Sequence, residues 1–484
     1  MLSEEDILKY IEQDKSSTSK RYAKIGQKYY AAEHDILQYR LFYFNDDGEL
    51  VEDKTRTNKK ICHPFFTEQV DQAVQFILSG KDGYVKSDIP ELQTELDAYF
   101  NENESFTSEL SEVLTGVQVK GWEYMYAYKT EEGRTAFKCT DSLGIVEVKD
   151  TAGKTIHIIY YYNKTDDKTN KTTTYVQVWD EKQVYYYIKS ENSGLRLDTE
   201  VKYNPRPHII YTRDNDDHVY YDDYGVIPFF RIDNNKNKTS WLKPIKDLID
   251  DYDIMASSLS NNLIDFDTPL HIVKGFEGDN LSELQTNLKT KKIVGVGEDG
   301  GVDVKTVDVP YEARKVKLEL DEKNIYRFGM ALNTDGLKDT NATTNIAIKA
   351  MYSLLELKCN KIEIQLKKLL RQIVSLVIEE INEEYQTAYQ MKDVYFTFDH
   401  EILSNAQENA QIELTNAQKV QTVINTLLNI GQQLDSETLM QLICEQLDLD
   451  YDDIKDKLPK EDDDYEVVQD KLNNIVTESG DAVV

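Results

Sequence analysis

The feature that most constrains the fold is a long stretch of sequence without helix-breaking residues. The 484 residues include 21 Gly and 9 Pro, yet neither type occurs from Leu337 to Ile430. Because Gly and Pro interrupt helices, the stretch predicts long helices, one from about Ile346 to Tyr385 and more from Ala406 onward. At 1.5 Å per residue the first helix would be about 60 Å long. A short strand region is expected between them, at 394–403.

The middle of the chain has a different composition. From Thr155 to Tyr224 it is rich in Tyr, Thr, Val and Ile, in runs separated by Asn, Asp and Lys. Such β-branched and aromatic runs predict a meander of strands. Upstream of the meander, the sequence predicts a hairpin over Gly121–Phe137 and helices over Glu4–Tyr29, Phe65–Leu78, Ile89–Phe100 and Phe106–Lys120. Because helices and strands are segregated along the chain, the predicted fold class is α+β.

Two further helices are predicted on either side of a short β segment. The first begins at Ser240, its N-cap, with Pro244 in its first turn. One face is an apolar stripe, and the polar face carries Asp247, Asp250, Asp251, Asp253 and Asp265. Short strands with one helix follow over Leu270–Val309. The second helix spans Tyr311–Phe328, and a polar segment at 332–345 leads into the long helix.

The net charge restricts the classes of partner. Lys and Arg number 56 against 88 Asp and Glu, so the formal charge is −32. Proteins that hold nucleic acid tightly neutralise its phosphates, so a wrapping or sequence-reading DNA binder is excluded, whereas DNA contact without tight binding is not. Attachment to an anionic membrane is disfavoured, and no apolar run has the length of a signal peptide core or a membrane span. The four separated cysteines predict small buried side chains in a reducing compartment.

The short motifs in the sequence do not predict an active site. The spacing Gly295-x-Gly297-x-x-Gly300 resembles a dinucleotide fingerprint, but a strand-like run follows it instead of a helix, so a hairpin turn is expected. Gly153-Lys154-Thr155 lacks the first glycine of a phosphate loop and is interpreted as a turn. The histidines show no spacing typical of a metal site. We therefore predict no enzyme, no catalytic residue, no cofactor and no metal ligand; an enzyme acting on a nucleotide or polysaccharide is the weakest alternative.

Several phrases, in their order and spacing, resemble one known family. They are KICHPFFTEQVDQAVQFILSGK (60–81), GWEYMYAYKTEEGRTAF (121–137), VIPFFRIDNN (226–235), IKDLIDDYDIMASSLSNNL (245–263) and TNATTNIAIKAMYSLLELKCNKIE (340–363). Together they are similar to the tailed-phage portal proteins of the SPP1-like type, over roughly residues 20 to 460. One departure is Thr343-Thr344-Asn345, where the family often has Ser-Gly before the long helix. This departure affects the expected loop geometry.

The resemblance implies a portal fold assembled as a ring, usually of twelve subunits, at one capsid vertex. Its parts would be a wing (1–239), stem helix 1 (240–266), a clip (267–309), stem helix 2 (310–330), a tunnel loop (331–345), the long helix with a return to the wing (346–403) and a crown (404–484). Double-stranded DNA would be packaged and later ejected through the channel without sequence specificity. The alternative is a phage adaptor or baseplate-type structural protein without a channel.

The resemblance also implies partners and site residues. The partners would be further copies of the chain, the terminase large subunit, the head–tail connector or adaptor protein, and the major capsid and scaffolding proteins, with no membrane. The expected location is the virion, after assembly in the bacterial cytoplasm. The tunnel loop would present Asn333, Asp335, Lys338, Thr340, Asn341, Thr343 and Thr344 to DNA. Candidate lumen-facing stem residues are Arg314, Lys315, Lys317 and Lys323, for which ordinary surface charge is the alternative. The clip would dock its partners through Glu277, Asp279, Glu298 and Asp299.

Overall fold

A computed structural model of the chain forms two compact units. The structure describes residues 2–54, 56–80, 83–167, 170–190, 193–212, 218–266, 270–274, 300–305, 310–333, 345–400, 406–431, 436–447 and 451. The first unit comprises Met1–Gly336 and Lys349–Ile402, and the second comprises Leu337–Ile348 and Leu403–Val484. Within the described residues, no helix combines the length and the apolar character needed to span a membrane.

The described elements confirm a mixed α+β fold. The helices are α1 (Glu4–Lys15), α2 (Thr18–Tyr30), α3 (Phe65–Ile77), α4 (Pro90–Leu96), α5 (Glu104–Lys120), α6 (Lys246–Phe266), α7 (Tyr311–Gly329), α8 (Asn345–Tyr385), α9 (Ala406–Ile430) and α10 (Ser436–Gln446). The longer strands are β4 (Trp122–Lys129), β5 (Thr135–Thr140), β6 (Ile145–Lys149), β7 (Thr155–Thr165), β8 (Thr172–Trp179), β9 (Gln183–Ser190), β14 (Phe229–Asp233), β15 (Leu270–Lys274) and β16 (Gly301–Lys305). The shorter strands are β1 (Phe42–Phe44), β2 (Leu50–Glu52), β3 (Val85–Lys86), β10 (Arg196–Leu197), β11 (Arg206–Pro207), β12 (Ile209–Thr212), β13 (Val219–Asp222) and β17 (Tyr395–Phe396).

Most of the predicted meander forms an antiparallel sheet with two covered faces, whereas its last two strands, β12 and β13, pair in a separate two-stranded sheet. Its strand order is β10-β9-β8-β7-β6, so neighbours in sequence are neighbours in space. Ile159 on β7 packs with Ile7 of α1 on one face. Ile158, the preceding residue, packs with Phe229 of β14 on the other face. This alternation follows the two-residue period of a strand, and it places the sheet between α1 and the three-stranded sheet β14-β4-β5.

Glycines occupy two of the predicted turns. Gly133 lies between β4 and β5, and Gly153 lies between β6 and β7; both have φ of +84°, in the left-handed region that glycine adopts without strain. The hairpin predicted over Gly121–Phe137 is confirmed. Lys154 and Thr155 follow the second turn and enter β7, so the Gly-Lys-Thr triplet is part of a strand connection, as predicted.

The long helix is confirmed and packs on α3. Cys359 Sγ of α8 lies 3.9 Å from the Ala73 carbonyl oxygen of α3, and the rings of Phe76 and Tyr352 stack at 5.9 Å. The strand predicted in 394–403 is the two-residue β17, which pairs with β3. α8 is therefore held to the first unit along most of its length.

Three predicted helix boundaries differ from the structure. The first predicted helix is two, because Ser17 takes an extended backbone and its hydroxyl accepts the Lys20 N–H, which starts α2. The helix predicted over Ile89–Phe100 ends as a π-helical turn after Leu96. α6 begins at Lys246 rather than at Ser240, because the Trp241 N–H bonds to the Gln118 carbonyl at 3.0 Å and the intervening residues form turns.

The second unit contains α9 and α10, which agree with the helices predicted from Ala406 onward. Ile443 and Cys444 of α10 are buried. A Cβ on Gly431, just after α9, would lie 2.9 Å from a methyl carbon of Leu439, so the two helices approach closely at this turn. The acidic run at 461–464 lies outside the described residues.

Candidate functional site

The two helices predicted on either side of the short β segment, α6 and α7, pack side by side in the structure. Asp251 near the start of α6 pairs with Lys317 of α7, and Asn262 near the end of α6 pairs with Arg314. In these two pairs the residue number increases along α6 while it decreases along α7, so the two helices are antiparallel. The half that carries Lys246–Ser257 and Asp321–Gly329 is called here the root half. The half that carries Ser258–Phe266 and Tyr311–Leu320 is called the far half.

The root half is buried in the first unit. Ile249 of α6 and Ile325 of α7 are fully buried. Side chains of α3 bind α7 directly: the Gln69 amide donates to the Ile325 carbonyl at 3.3 Å, and Glu68 accepts from the Tyr326 hydroxyl at 2.7 Å. Contacts within the single subunit therefore hold the root half in place.

An extended segment at residues 57–63, here called the strap, runs along α6. Backbone N–H groups of alternate strap residues donate to side chains four residues apart on the helix. The pairs are Thr57 with Asp265, Lys59 with Asn261, Ile61 with Ser257 and His63 with Asp253. Two extended residues and four helical residues each span about 6 to 7 Å, which explains why the two spacings match. The strap therefore covers one face of α6.

Asp253, which the sequence places on the polar face of this helix, is not in contact with solvent. Its side chain is completely buried. One carboxylate oxygen lies 2.6 Å from Nδ1 of His34, and the other lies 2.8 Å from Nδ1 of His63. Burial alone would raise the pKa of Asp253, but hydrogen bonds and charge from the two imidazoles outweigh it, so the pKa is lowered. Asp253 therefore binds other parts of the chain, whereas Asp247, Asp251 and Asp265 of the same helix are exposed.

The four predicted basic residues on α7 have different surroundings. Lys317 forms ion pairs with Asp251 and Asp321. Both terminal nitrogens of Arg314 lie 2.7 Å from the side-chain amide of Asn262, whose oxygen accepts from them when the amide is turned to face the guanidinium. Lys315 lies 4.0 Å from Glu319, whereas Lys323 is exposed and has no ion pair among the described residues. Lys317 and Arg314 therefore hold the two helices together, which leaves Lys315 and Lys323 more available to an outside partner.

Large apolar side chains are exposed on the helix pair. They include Ile254, Leu263 and Ile264 on α6 and Tyr311, Val316, Leu320 and Phe328 on α7. Clustered exposed apolar side chains of this kind are typical of an interaction surface. Most of them lie in the far half.

A buried lysine connects both helices to α8. Lys358 donates to the Gly329 carbonyl at the end of α7 at 2.7 Å. Its ammonium nitrogen also lies 3.6 Å from the ring centre of Trp241, which precedes α6. Burial lowers the pKa of Lys358 to about 7. The Lys358 side chain thus contacts both the segment that precedes α6 and the end of α7.

Comparison with known proteins identifies the family. The family described as "Phage portal protein, SPP1 Gp6-like" matches residues 8–441. The chain belongs to this family. It is also 27% identical over 349 residues to the portal protein of Bacillus phage SPP1, covering 72% of this chain and 67% of that protein. It is 24% identical over 414 residues to the portal protein of a Clostridium phage, phiCD119, covering 79% of this chain and 86% of that protein.

The family fixes the general function. The chain is a phage portal protein that serves in the packaging of DNA and is a component of the virion. Portal proteins are structural rather than enzymatic. The resemblance drawn from the sequence is therefore confirmed.

The other predicted portal sites fall largely outside the described residues. Asn333 of the tunnel loop is described and is partly buried, whereas the other six residues that the tunnel loop would present to DNA, and all four clip residues, lie outside the described residues. For the predicted clip range, the structure shows β15 and β16 as an antiparallel pair, with Leu270 opposite Lys305. The loop and docking assignments stay predictions.

Spacing in the sequence did not predict one group of side chains. His34, Cys62 and Asp253 place potential metal-ligand atoms within 4.8 Å of one another. They lie in the loop after α2, in the strap and on α6, so only the tertiary structure brings them together. The polar positions at Asp253, Ser257, Asn261 and Asp265 did carry a signal for the strap, because their spacing of four places them on one helix face.

Proposed function

We propose that this portal protein assembles into a ring around a channel for double-stranded DNA, with α6 and α7 as the stem. The observation that carries the proposal is the antiparallel pair itself, buried at its root half and carrying exposed apolar side chains in its far half. Identical subunits in a ring need heterologous contacts that close, and such contacts need a surface that the isolated subunit leaves uncovered. The exposed residues of α6 and α7 supply one.

The remaining parts follow in chain order. β15 and β16 belong to the clip, which lies between the stem helices in sequence and docks the terminase and the head–tail connector. The segment from Ala331 to Asn345 is the tunnel loop, residues beyond 404 form the crown, and the sheets and α1 to α5 form most of the wing. Twelve subunits, and contacts with capsid and scaffolding proteins, are part of the same proposal.

The charge distribution supports a channel that does not bind DNA tightly. Each neutralised phosphate adds to DNA affinity, so a channel needs few free cations and many carboxylates. On the described helix pair, the cations of Lys317 and Arg314 are used within the subunit. Lys315 and Lys323, together with Lys338 of the tunnel loop, are the cations that we assign to the lumen.

Electron microscopy of the purified full chain tests the ring. We expect rings with a central hole, and a native mass that is a multiple of the 56.1 kDa chain. The double variant Val316→Ser, Leu320→Ser should remain folded by circular dichroism but assemble less. The apolar exchange Val316→Ile, Leu320→Met is the matched control. A compact monomer or a ring without a hole would favour the adaptor alternative.

A packaging experiment tests the tunnel loop separately. Lys338→Glu removes one cation per subunit and should change the length of packaged DNA. Lys236→Glu makes the same charge change at an exposed position outside the proposed stem and loop. Equal packaged length in both variants would contradict a lumen role for Lys338.

A further inference from the structure

A small hairpin near the start of the chain exposes apolar side chains on both of its faces. β1 and β2 form a separate two-stranded sheet, here called the aromatic hairpin (42–52). None of the residues in its two strands is buried. Phe44 and Leu50 are opposite each other in the register and are 72% and 60% exposed. Tyr43 and Val51 form the next pair, on the other face, and are also exposed.

The aromatic hairpin is well formed despite this exposure. Asn45 closes its turn: its side-chain oxygen accepts from the Glu49 N–H at 2.8 Å, and its carbonyl accepts from the Gly48 N–H at 2.9 Å. A two-stranded hairpin is only marginally stable in water, and contiguous exposed apolar side chains are typical of interaction surfaces. A partner that covers the hairpin would therefore stabilise it.

The strap holds the aromatic hairpin beside the far half of α6. The Lys60 ammonium donates to the Leu37 carbonyl at 2.8 Å, just before β1, and the Thr57 N–H donates to Asp265 at the end of α6. α7 bonds to different side chains of α6, so the hairpin and the exposed side of α7 are separate surfaces of one subunit. Contacts between two different surfaces of identical chains are heterologous, and they can close into a ring.

The exposed side of α7 has an apolar part and a basic end. Val316 and Leu320 are four residues apart, so they lie on one face of the helix. Arg327 is exposed and follows Leu320 by seven residues, about two turns, so it continues the same face. This face therefore runs from apolar side chains in the far half to a cation near the end of α7.

The aromatic hairpin has the complementary order of side chains. Its apolar strands end in a turn with Asp46 and Asp47, which are exposed, and residues 41–53 include no Lys or Arg. The two lengths also agree. Val316 and Arg327 are about 16 Å apart along a helix, and Phe42 is about 15 Å from the turn along a strand.

We propose that the aromatic hairpin of one subunit packs on this face of α7 in the neighbouring subunit. The apolar residues of the strands contact Val316 and Leu320, and the carboxylates of Asp46 and Asp47 lie beside Arg327. The partner is a second copy because the chain itself carries the surface that matches the hairpin in charge, apolar character and length. The inference rests on the proposed ring, since it names the surfaces through which neighbouring subunits meet.

Photo-crosslinking of the full-length protein identifies the surface that the hairpin contacts. p-Benzoylphenylalanine in place of Phe44 should crosslink to residues 311–329 of another chain. Assembly from a mixture of isotope-labelled and unlabelled subunits distinguishes links between chains from links within one chain. The same probe in place of Tyr221, an exposed residue of the separate sheet β12–β13, is the matched control and should not reach residues 311–329. Links from position 44 that never include these residues of another chain would overturn the proposal.

An exchange of charges tests the same contact by its effect on assembly. The double variant Asp46→Lys, Asp47→Lys should raise the protein concentration at half-assembly by about tenfold or more, because it places like charges together. Adding Arg327→Glu should recover part of this loss. Glu131→Lys, Glu132→Lys makes the same change at exposed positions in the β4–β5 turn and should assemble like the wild type. Analytical ultracentrifugation measures assembly, and circular dichroism checks the fold.

The ring and the hairpin contact fail in different ways. A wild-type chain that forms no ring would contradict the proposed function, and this inference with it. Wild-type rings combined with normal assembly of the hairpin charge variant would overturn the hairpin contact alone. The crosslinking result does not depend on a charge variant, because Phe44 is exposed and its replacement leaves the core of the subunit unchanged.

Discussion

In the root half of the α6–α7 pair, Ile249 and Ile325 are completely buried, whereas in the far half Ile264 and Val316 are 43% and 60% exposed. The two halves belong to the same two helices. What differs is the neighbourhood: α3 and α8 contact the root half, whereas in the far half the described residues that bond to α6 belong to the strap and to α7.

This difference shows how one helix pair can serve two purposes. The root half obtains its order from the subunit's own core, so it positions the pair. The far half leaves apolar and basic side chains exposed, and in the proposed ring these side chains are available to other subunits or to DNA. Substitutions in the root half should therefore act on the stability of the single chain, and substitutions in the far half should act on assembly or on DNA.

The largest effect is expected at Asp253. Asp253→Asn removes the ionised acceptor of the hydrogen bonds from two imidazoles, and since a hydrogen bond to a charged group contributes about 1.5 to 3 kcal/mol, the two together should cost about 3 to 5 kcal/mol. Asp247→Asn is the matched control, because Asp247 is exposed on the same helix. The measurement is urea unfolding of both variants and the wild type. Similar stabilities for the two variants would mean that the root half does not depend on this contact.

Substitutions of two isoleucines of α6 compare how much the root half and the far half contribute to the free energy of unfolding. Ile249→Ala should destabilise the chain by about 2 to 4 kcal/mol, because it leaves a cavity in the root half. Ile264→Ala should change the unfolding free energy by only about 0.5 kcal/mol, because its side chain is already partly in water. Denaturant unfolding under conditions that keep the chain monomeric measures both. Equal losses would contradict the division into two halves.

Lys358 gives a pH-dependent prediction for the root half. Its pKa in the folded chain is about 7, below the ordinary value of 10.5. Between these values the unfolded chain binds more protons, so the contribution to stability falls as the pH decreases from 10.5 towards 7 and is constant below that. Lys358→Met should reduce the slope of stability against pH, measured from pH 7 to 9, by up to about 1.4 kcal/mol per pH unit.

The control for Lys358 is another lysine of the same helix. Lys361 is exposed, so Lys361→Met should leave the slope unchanged. Lys20 and Lys238 also have lowered pKa values because of burial. Their contributions are present in the wild type and in both variants, so they cancel in the comparison. An unchanged slope in Lys358→Met would mean that Trp241 and the Gly329 carbonyl keep Lys358 charged despite its burial.

Much of the fold was predictable from the sequence because its signals are local. The period of strands β7 to β9, the absence of Gly and Pro around α8, and the glycine turn at Gly133 each depend on neighbouring residues. The start of α6 was not predictable, because a backbone bond to Gln118 of α5 delays it. The portal family was recognised from the order of several phrases, none of which is specific alone.

The side-chain contacts of the site were harder to predict. The aspartates of α6 have the spacing of a solvated face, yet Asp253 binds histidines separated from it by about 190 and 219 residues. Likewise, no local pattern distinguishes Lys317, which pairs with Asp251, from Lys323. Such contacts depend on which distant segments the fold brings together. The local pattern of a single sequence does not show which segments these are.

The smallest effect on stability is expected at Lys323. It is exposed, and it has no ion pair among the described residues. Lys323→Glu should therefore alter the unfolding free energy of the chain by about 0.5 kcal/mol or less. Lys317→Glu should cost more, because it places a carboxylate beside Asp251 and Asp321.

If Lys323 faces the lumen, its charge reversal still changes the length of packaged DNA, because it removes one phosphate contact from every subunit. Normal packaging by a stably folded Lys323→Glu variant would place this residue on the outer surface of the stem, and Lys315→Glu would then decide whether any cation of α7 meets the DNA.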